Sequence, residues 1–298
     1  MAVTGATGFI GKAVVARLAA AGHEVVAVAR RAPRWALPAG ARFAAADVAT
    51  GAGLREAFAG AQAVVHLVGI IREAGGQTFQ KAHVDGTRHA LEAAKAAGAR
   101  RFLHMSALGA REDSRSGYSR SKAQAEALVR ASGLEWTIFR PSLVFGPGDD
   151  FFGNVLAGLT RGPVAPIIGD GHFPFTPVWV EDVAAAFQQA LTLPVAGRTF
   201  DLTGPRTYTF EELVRLVAAA QGRHPVFMHL PLPLMNLAVA AFRVLPTPPI
   251  TPDQYAMLLE GNAAPGREAR EAFTLVEPGL SSVLPAIVGR PAATKAAA

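Results

Sequence analysis

A chain of 298 residues, half of them apolar and 17% charged, is long enough to bury a sizeable core and excludes a disordered polypeptide. The absence of cysteine excludes disulfides, thiolate catalysis and cysteine-held metals, and no group of His, Asp and Glu has metal-ligand spacing. The formal charge of +6 comes largely from arginines scattered without a basic run, so it suits anionic small molecules or an acidic surface, and no nucleic-acid partner is expected.

In chain order, β-like runs alternate with helical patterns through the first two-thirds. Predicted strands cover Ala2–Thr4, Glu24–Ala29, Arg42–Ala45, Ala63–Val68, Arg101–Met105, Trp136–Arg140 and Thr199–Leu202. Several are continuously apolar, as strands covered on both faces are. Ile10, Val14 and Leu18 recur at helical spacing before Gly22, a helix-ending glycine. Further helices are predicted from about Phe79 to near Gly98, after Tyr118, and over Glu181–Leu191. This βαβαβ order predicts an α/β fold with a doubly wound parallel sheet of the Rossmann type. The first strand has only about three residues before the glycines, against a usual ~5–6. Either that strand is truncated or the natural start lies upstream of Met1. Glycines interrupt the first apolar residues, so no signal peptide is expected.

After Arg140, proline and glycine become frequent and the chain is expected to leave the sheet. The expected division is a dinucleotide-binding domain over 1–140, with sheet contributions from about 175–203. Residues 141–174 and 204–291 would form a small, mostly helical substrate lobe, and 292–298 a frayed tail. Thr209-Phe210-Glu211-Glu212 is a capping box for a helix reaching about Ala220, and Thr251-Pro252-Asp253 opens another. The most apolar stretch, 226–245, carries His229, Pro231, Pro233, Asn236 and Arg243, too heavy a polar load for a membrane-spanning helix. Pro231–Leu245 is expected as a helix buried against the lobe. The sharper alternative is a greasy wall for a lipophilic substrate, or a patch touching a membrane or a subunit.

Thr4-Gly5-Ala6-Thr7-Gly8-Phe9-Ile10-Gly11 lies between a strand and an amphipathic helix, where a pyrophosphate loop has to lie. Gly5 would permit the tight turn, Gly8 the approach of backbone to phosphate, and Gly11 close helix packing. The helix N-terminus would offer free N–H groups to the anion. Gly5, Thr7, Gly8, Phe9, Ile10 and Gly11 are therefore candidate cofactor contacts. The second strand ends in Arg30-Arg31, where an acid would favour the ribose hydroxyls of NAD. Two guanidiniums match a 2′-phosphate instead, so NADP(H) is preferred over NAD(H). The bland alternative is two solvated arginines. Asp47 and the adjacent Val48 would meet the adenine, or Asp47 is an ordinary turn residue. Val68-Gly69-Ile70 would lie close to the adenosine ribose.

Tyr118 and Lys122 are four residues apart on one predicted helix, so they share a face. Ser106 ends the fifth strand. A phenol of pKa ~10 needs a nearby cation to work near neutrality. Lys122 and an oxidised nicotinamide would supply it, Ser106 would hold a carbonyl oxygen, and Tyr118 would move the proton that accompanies a hydride. Tyr-x-x-x-Lys is common on helix surfaces; its order behind the glycine loop gives it weight.

With these residues the chain resembles the short-chain dehydrogenase/reductase superfamily in its extended or atypical, epimerase/dehydratase-like branch. The match rests on the glycine loop, Ser106, Tyr118-Ser119-Arg120-Ser121-Lys122 and Arg140-Pro141-Ser142-Leu143-Val144-Phe145-Gly146. Within the branch it is most similar to the group containing the NADPH-binding accessory subunit of respiratory complex I, through His83-Val84-Asp85-Gly86-Thr87, the run 145–152 and Phe175–Val183. The resemblance implies that Tyr118 is the acid/base, that Lys122 holds the nicotinamide ribose and that Ser106 orients the substrate. It also implies that the backbone at Pro141, Leu143 and Val144 lies along the nicotinamide. Many extended members have Asn where this chain has His83, which would anchor the active-site helix, join a proton relay, or simply be packed. His66 and His104, on strands, are expected in the core. Three functions stay open: an NADP(H)-dependent oxidoreductase acting on a carbonyl or hydroxyl carbon; a non-catalytic NADPH-holding accessory subunit or assembly factor of a respiratory NADH:quinone oxidoreductase; and a sugar-nucleotide epimerase or dehydratase. The expected partner is a small-molecule substrate. The expected location is cytoplasmic, with a respiratory-complex or membrane-surface contact at the inner face as the variant.

Overall fold

Strands apolar on both faces need cover on both sides, and the sheet is built that way. The computed structural model describes residues 1–242, 245 and 248–289. Its main sheet has seven strands: β1 (Ala2–Thr4), β2 (Val25–Ala29), β3 (Ala41–Ala45), β4 (Ala63–His66), β5 (Arg101–Met105), β6 (Glu135–Pro141) and β7 (Arg198–Leu202). All neighbours are parallel, in the order β7-β6-β5-β4-β1-β2-β3. The order reverses at β1, which pairs β2 on one side and β4 on the other, and a sheet of this kind binds ligands at that switch point. The predicted α/β fold is therefore the observed one. β1 is short but fully buried, and Met1 carries its ladder one residue further by accepting from the Val26 amide.

Four longer helices cover the sheet: α1 (Phe9–Ala20), α2 (Gly86–Ala96), α3 (Gly117–Arg130) and α4 (Val180–Gln189). α1 buries Val14, Val15 and Leu18 and packs against α4. The helix expected from Phe79 is wound in two ways. Gln80–Asp85 is a wide π-turn and only then does α2 begin. Such turns concentrate at functional sites because they rotate one side chain out of the α-helical register; here the turn carries His83.

The chain divides into two compact units. One comprises Met1–Pro141, Val180–Leu202 and Ala264–Val276; the other comprises Ser142–Trp179, Thr203–Ala263 and the chain from Glu277. The return of Ala264–Val276 to the sheet unit differs from the sequence expectation, which left it in the lobe. The cause is Phe273, whose ring closes an aromatic cluster with Phe139 at 5.6 Å and Phe200 at 4.9 Å, while Phe139 also meets Phe187 at 4.5 Å. The Val276 amide then donates to Asp182 on α4.

In the second unit, Phe152, Leu156, Leu213, Val217 and Leu284 form the centre of the core. The predicted capping box forms at Thr209/Glu212, and the helix expected from Thr251 opens on a second one, Thr251/Gln254. The apolar stretch 226–245 is not one element. Val226–Leu230 is a strand parallel to Val164–Ile168, and a helix follows at Leu232–Phe242. That helix is not buried as expected. Only Met235 and Val239 are covered, against Tyr255, while Leu234 and Leu237 are 54% and 69% exposed. Arg243, Val244 and the expected tail at 292–298 lie outside the described residues. No helix among the described residues is long and apolar enough to cross a membrane.

Removing the Phe139 ring would leave Phe187, Phe200 and Phe273 around a cavity. Phe139→Ala is expected to cost about 3–5 kcal/mol in urea unfolding of the whole chain. A loss below about 1 kcal/mol would show that the cluster does not hold β6, α4 and the return segment together.

Candidate active site

The glycine loop is shaped by contacts that only glycine allows. Gly5 has φ +72°, and its carbonyl accepts from the Gly8 amide at 3.0 Å. A Cβ on Gly11 would collide with the Gly5 carbonyl oxygen and lie 2.8 Å from the Ala6 backbone. α1 can therefore start only if Gly11 has no side chain. Gly8 is the N-cap of α1 in extended geometry, with no side chain capping it. Thr7 and Gly8 are exposed, and Phe9 and Ile10 are half-buried. The first turn holds no acidic residue, so its amides and partial positive charge are open to an anion. These features fit a dinucleotide pyrophosphate.

Arg30 and Arg31 are exposed at the end of β2. Arg30 is not simply solvated. With the Gln77 amide turned so that its oxygen faces the guanidinium, Gln77 accepts from both Nη1 and Nη2 of Arg30. Gln77 closes a small hairpin with Ala74, turned by Gly75 and Gly76. Lys12, on α1, lies over the Trp35 ring at 5.8 Å. Sequence reasoning missed Gln77, Lys12 and Trp35, because nothing local ties them to the end of β2. Asp47 caps its own turn, accepting from the Ala49 amide at 2.9 Å, and the buried Val48 gives its carbonyl to His89.

Val68, Gly69 and Ile70 follow β4. A Cβ on Gly69 would stand 3.5 Å from both His83 Nε2 and Lys122 Nζ, ordinary contact distance, so both side chains lie directly against this stretch of backbone. Lys122 donates to the Met105 carbonyl at 2.8 Å. Burial lowers it to about 8, with Glu126 opposing the shift. Tyr118, on the same face of α3, stands edge-on to His83 at 5.3 Å and to Phe79 at 5.9 Å. Its ring keeps some exposure, yet desolvation pushes the phenol up to about 12. The sequence reading expected Lys122 to lower this phenol. In the protein alone the shift runs the other way, because burial dominates.

Two further expectations are corrected. Ser106 ends β5, but its Oγ is buried beside Glu126 without meeting hydrogen-bond geometry, and the residue is only 3% exposed. His83, expected among the cofactor contacts, has both ring nitrogens taken by protein: Nε2 accepts from the Ile70 amide at 3.0 Å and Nδ1 meets Ser121 Oγ at 2.8 Å. His66 and His104 are core residues as expected. His66 bonds Thr4 and Thr87 and stacks on His104 at 5.6 Å, and burial holds both below the usual imidazole range. Pro141 ends the sheet unit. Leu143 and Val144 belong to the other unit, where they pair with Val178.

Sequence reasoning also missed Glu126, one helical turn beyond Lys122. Its carboxylate is buried and receives Arg140 through two bonds of 2.7 Å and Arg130 through a third. Burial pushes this carboxyl up, but the hydrogen bonds from Arg140 and Arg130 outweigh it and hold the group ionised. No cluster of His, Asp or Glu among the described residues could hold a metal ion.

Residues 1–203 match the NAD dependent epimerase/dehydratase family. Ceramide reductase of Caulobacter vibrioides is 35% identical over 78% of this chain and 74% of that protein. NADH dehydrogenase (ubiquinone) 1 alpha subcomplex subunit 9, mitochondrial, is 32% identical in Arabidopsis thaliana, over 80% of this chain, and 33% identical in Mus musculus, over 78%. The chain spans only 62% and 63% of those two subunits. Among solved structures, MoeE5 in complex with UDP-glucose and NAD superimposes with a TM-score of 0.75 at 22% identity, covering 97% of both chains. UDP-glucuronic acid 4-epimerase from Bacillus cereus gives 0.72 at 19% identity, covering 96% of both. These two likenesses carry the fold.

Lys122 has its folded pKa below the unfolded value, so wild type carries a penalty that is full below about pH 8 and fades as pH rises toward 10.5. Lys122→Met is therefore expected to gain stability relative to wild type at pH 7. That gain should shrink steadily between about pH 8 and 10.5 in paired urea titrations. A pH-independent difference would mean that the ammonium is not desolvated.

Proposed function

The chain belongs to the NAD dependent epimerase/dehydratase family, and from that membership we propose that it is an NADP(H)-dependent oxidoreductase acting on a carbonyl or hydroxyl carbon. The observation that carries the reading is the buried Lys122 ammonium against Gly69, one helical turn from Tyr118, at the carboxyl ends of the strands where the sheet order reverses. The bound nicotinamide supplies or accepts the hydride. Tyr118 gives its hydroxyl proton to the substrate oxygen during reduction and takes it back during oxidation. Lys122 supplies the positive charge that makes phenolate accessible once a ligand displaces its bond to Met105. The first-turn amides of α1 hold the pyrophosphate, and Arg30 leaves Gln77 for the 2′-phosphate. The ceramide reductase relative supports a lipophilic substrate.

A second reading is a chain that holds NADPH without turnover, as an accessory subunit would. Its support is the likeness to the mitochondrial NADH dehydrogenase subunits.

Fluorescence titration and NADPH oxidation with long-chain lipid ketones separate the two. Tyr118→Phe should keep NADPH affinity within about threefold and lose turnover by ~10²–10⁴; unchanged turnover would remove Tyr118 from the mechanism. Wild type that binds NADPH tightly and oxidises it with none of these ketones would favour the accessory role. Arg30→Ala should weaken NADPH by about tenfold or more and NADH much less. Equal losses would defeat the phosphate assignment.

A further inference from the structure

We propose that His83 is a positioning residue that locks the backbone after β4 to the Tyr118 helix through one obligatory ring tautomer. The inference rests on the proposed cofactor site and assigns His83 a role in holding that site's backbone and helix together.

The hydrogen count fixes the direction of the chain. The Ile70 N–H is donated to His83 Nε2 at 3.0 Å, so Nε2 carries no proton. The proton of the neutral ring must then sit on Nδ1, which donates to Ser121 Oγ at 2.8 Å. Ser121 passes its own hydroxyl proton to the Tyr118 carbonyl at 2.7 Å. His83 and Ser121 each donate once and accept once, and the three bonds run from the Ile70 amide to the Tyr118 carbonyl without conflict. The fully buried ring also stands edge-on to Tyr118, at 86° and 5.3 Å. Reversing the tautomer would set two N–H groups against each other at Ile70 and leave Ser121 without its donor.

The placement explains two other features. The π-turn Gln80–Asp85 puts His83 between the β4 loop and α3. The His83 and Lys122 side chains meet the same stretch of backbone, each 3.5 Å from where a Cβ of Gly69 would stand. Burial and the Lys122 charge hold His83 down at about 2, so the ring stays neutral at working pH and does not shuttle protons. Its contribution is rigidity shared between Ile70, on the cofactor side, and Tyr118.

Amide side chains can replace the two halves of the ring separately. Gln places an oxygen where Nε2 lies and Asn places an N–H where Nδ1 lies. In the full chain, His83→Leu is expected to weaken NADPH by about tenfold, read by fluorescence titration. It should also shift the Tyr118 phenol titration, read by ultraviolet difference against Tyr118→Phe. His83→Gln should recover most of the NADPH affinity but not the phenol titration, and His83→Asn the reverse. Folded His83→Leu with wild-type affinity and titration would overturn the proposal. If that variant does not fold, the Gln and Asn pair decides, and equal or opposite behaviour overturns it. Wild type that fails to bind NADPH would defeat the cofactor reading alone, because the phenol titration tests His83 without any cofactor.

Discussion

The contact between Gly11 and the Gly5 carbonyl is the constraint on which the rest of the sheet unit depends. No side chain fits there, so α1 can begin immediately above β1 and aim its first amides out past the strand end. β1 lies between β2 and β4, so this turn sits where the strand order reverses. A larger residue at Gly11 would push α1 off β1. The same helix buries Val14, Val15 and Leu18 and packs on α4, so the disturbance would reach the core. One steric requirement thus sets both an anion-binding geometry and a helix–sheet interface.

Charge on α3 is handled in two different ways. Glu126 is buried with hydrogen bonds from two arginines, which offset its desolvation. Lys122 is buried with one backbone acceptor and a more distant carboxylate, so its cation remains costly. A side chain left in that condition gains more than others from a nearby polar ligand. The physical asymmetry between two residues one helical turn apart separates a structural ion cluster from a candidate catalytic one.

The second unit shows the limit of hydropathy as a guide. Leu232–Phe242 contains no charged residue, yet most of its apolar side chains are not in the core. Its strand partner and Tyr255 cover one side only. An isolated apolar stretch says that water is avoided, not what replaces it.

By itself the sequence determined the local features: the strand–glycine–helix turn, the alternation that makes a parallel α/β sheet, the capping box at Thr209, the helix start at Thr251, and the shared helical face of Tyr118 and Lys122. Each depends on residues within one turn or one strand of each other, so spacing is enough. Tertiary structure decided the rest. His83 meets Ile70 and Ser121, which are 13 and 38 residues away in sequence. Arg30 meets Gln77, Glu126 meets Arg140, and Phe273 returns to Phe139. Ser106 has the right type and strand-end position, but the direction of its hydroxyl depends on where α3 lays Glu126. A hydrogen bond or a ring contact needs atoms placed to within an ångström, and only packing of distant segments fixes them that closely.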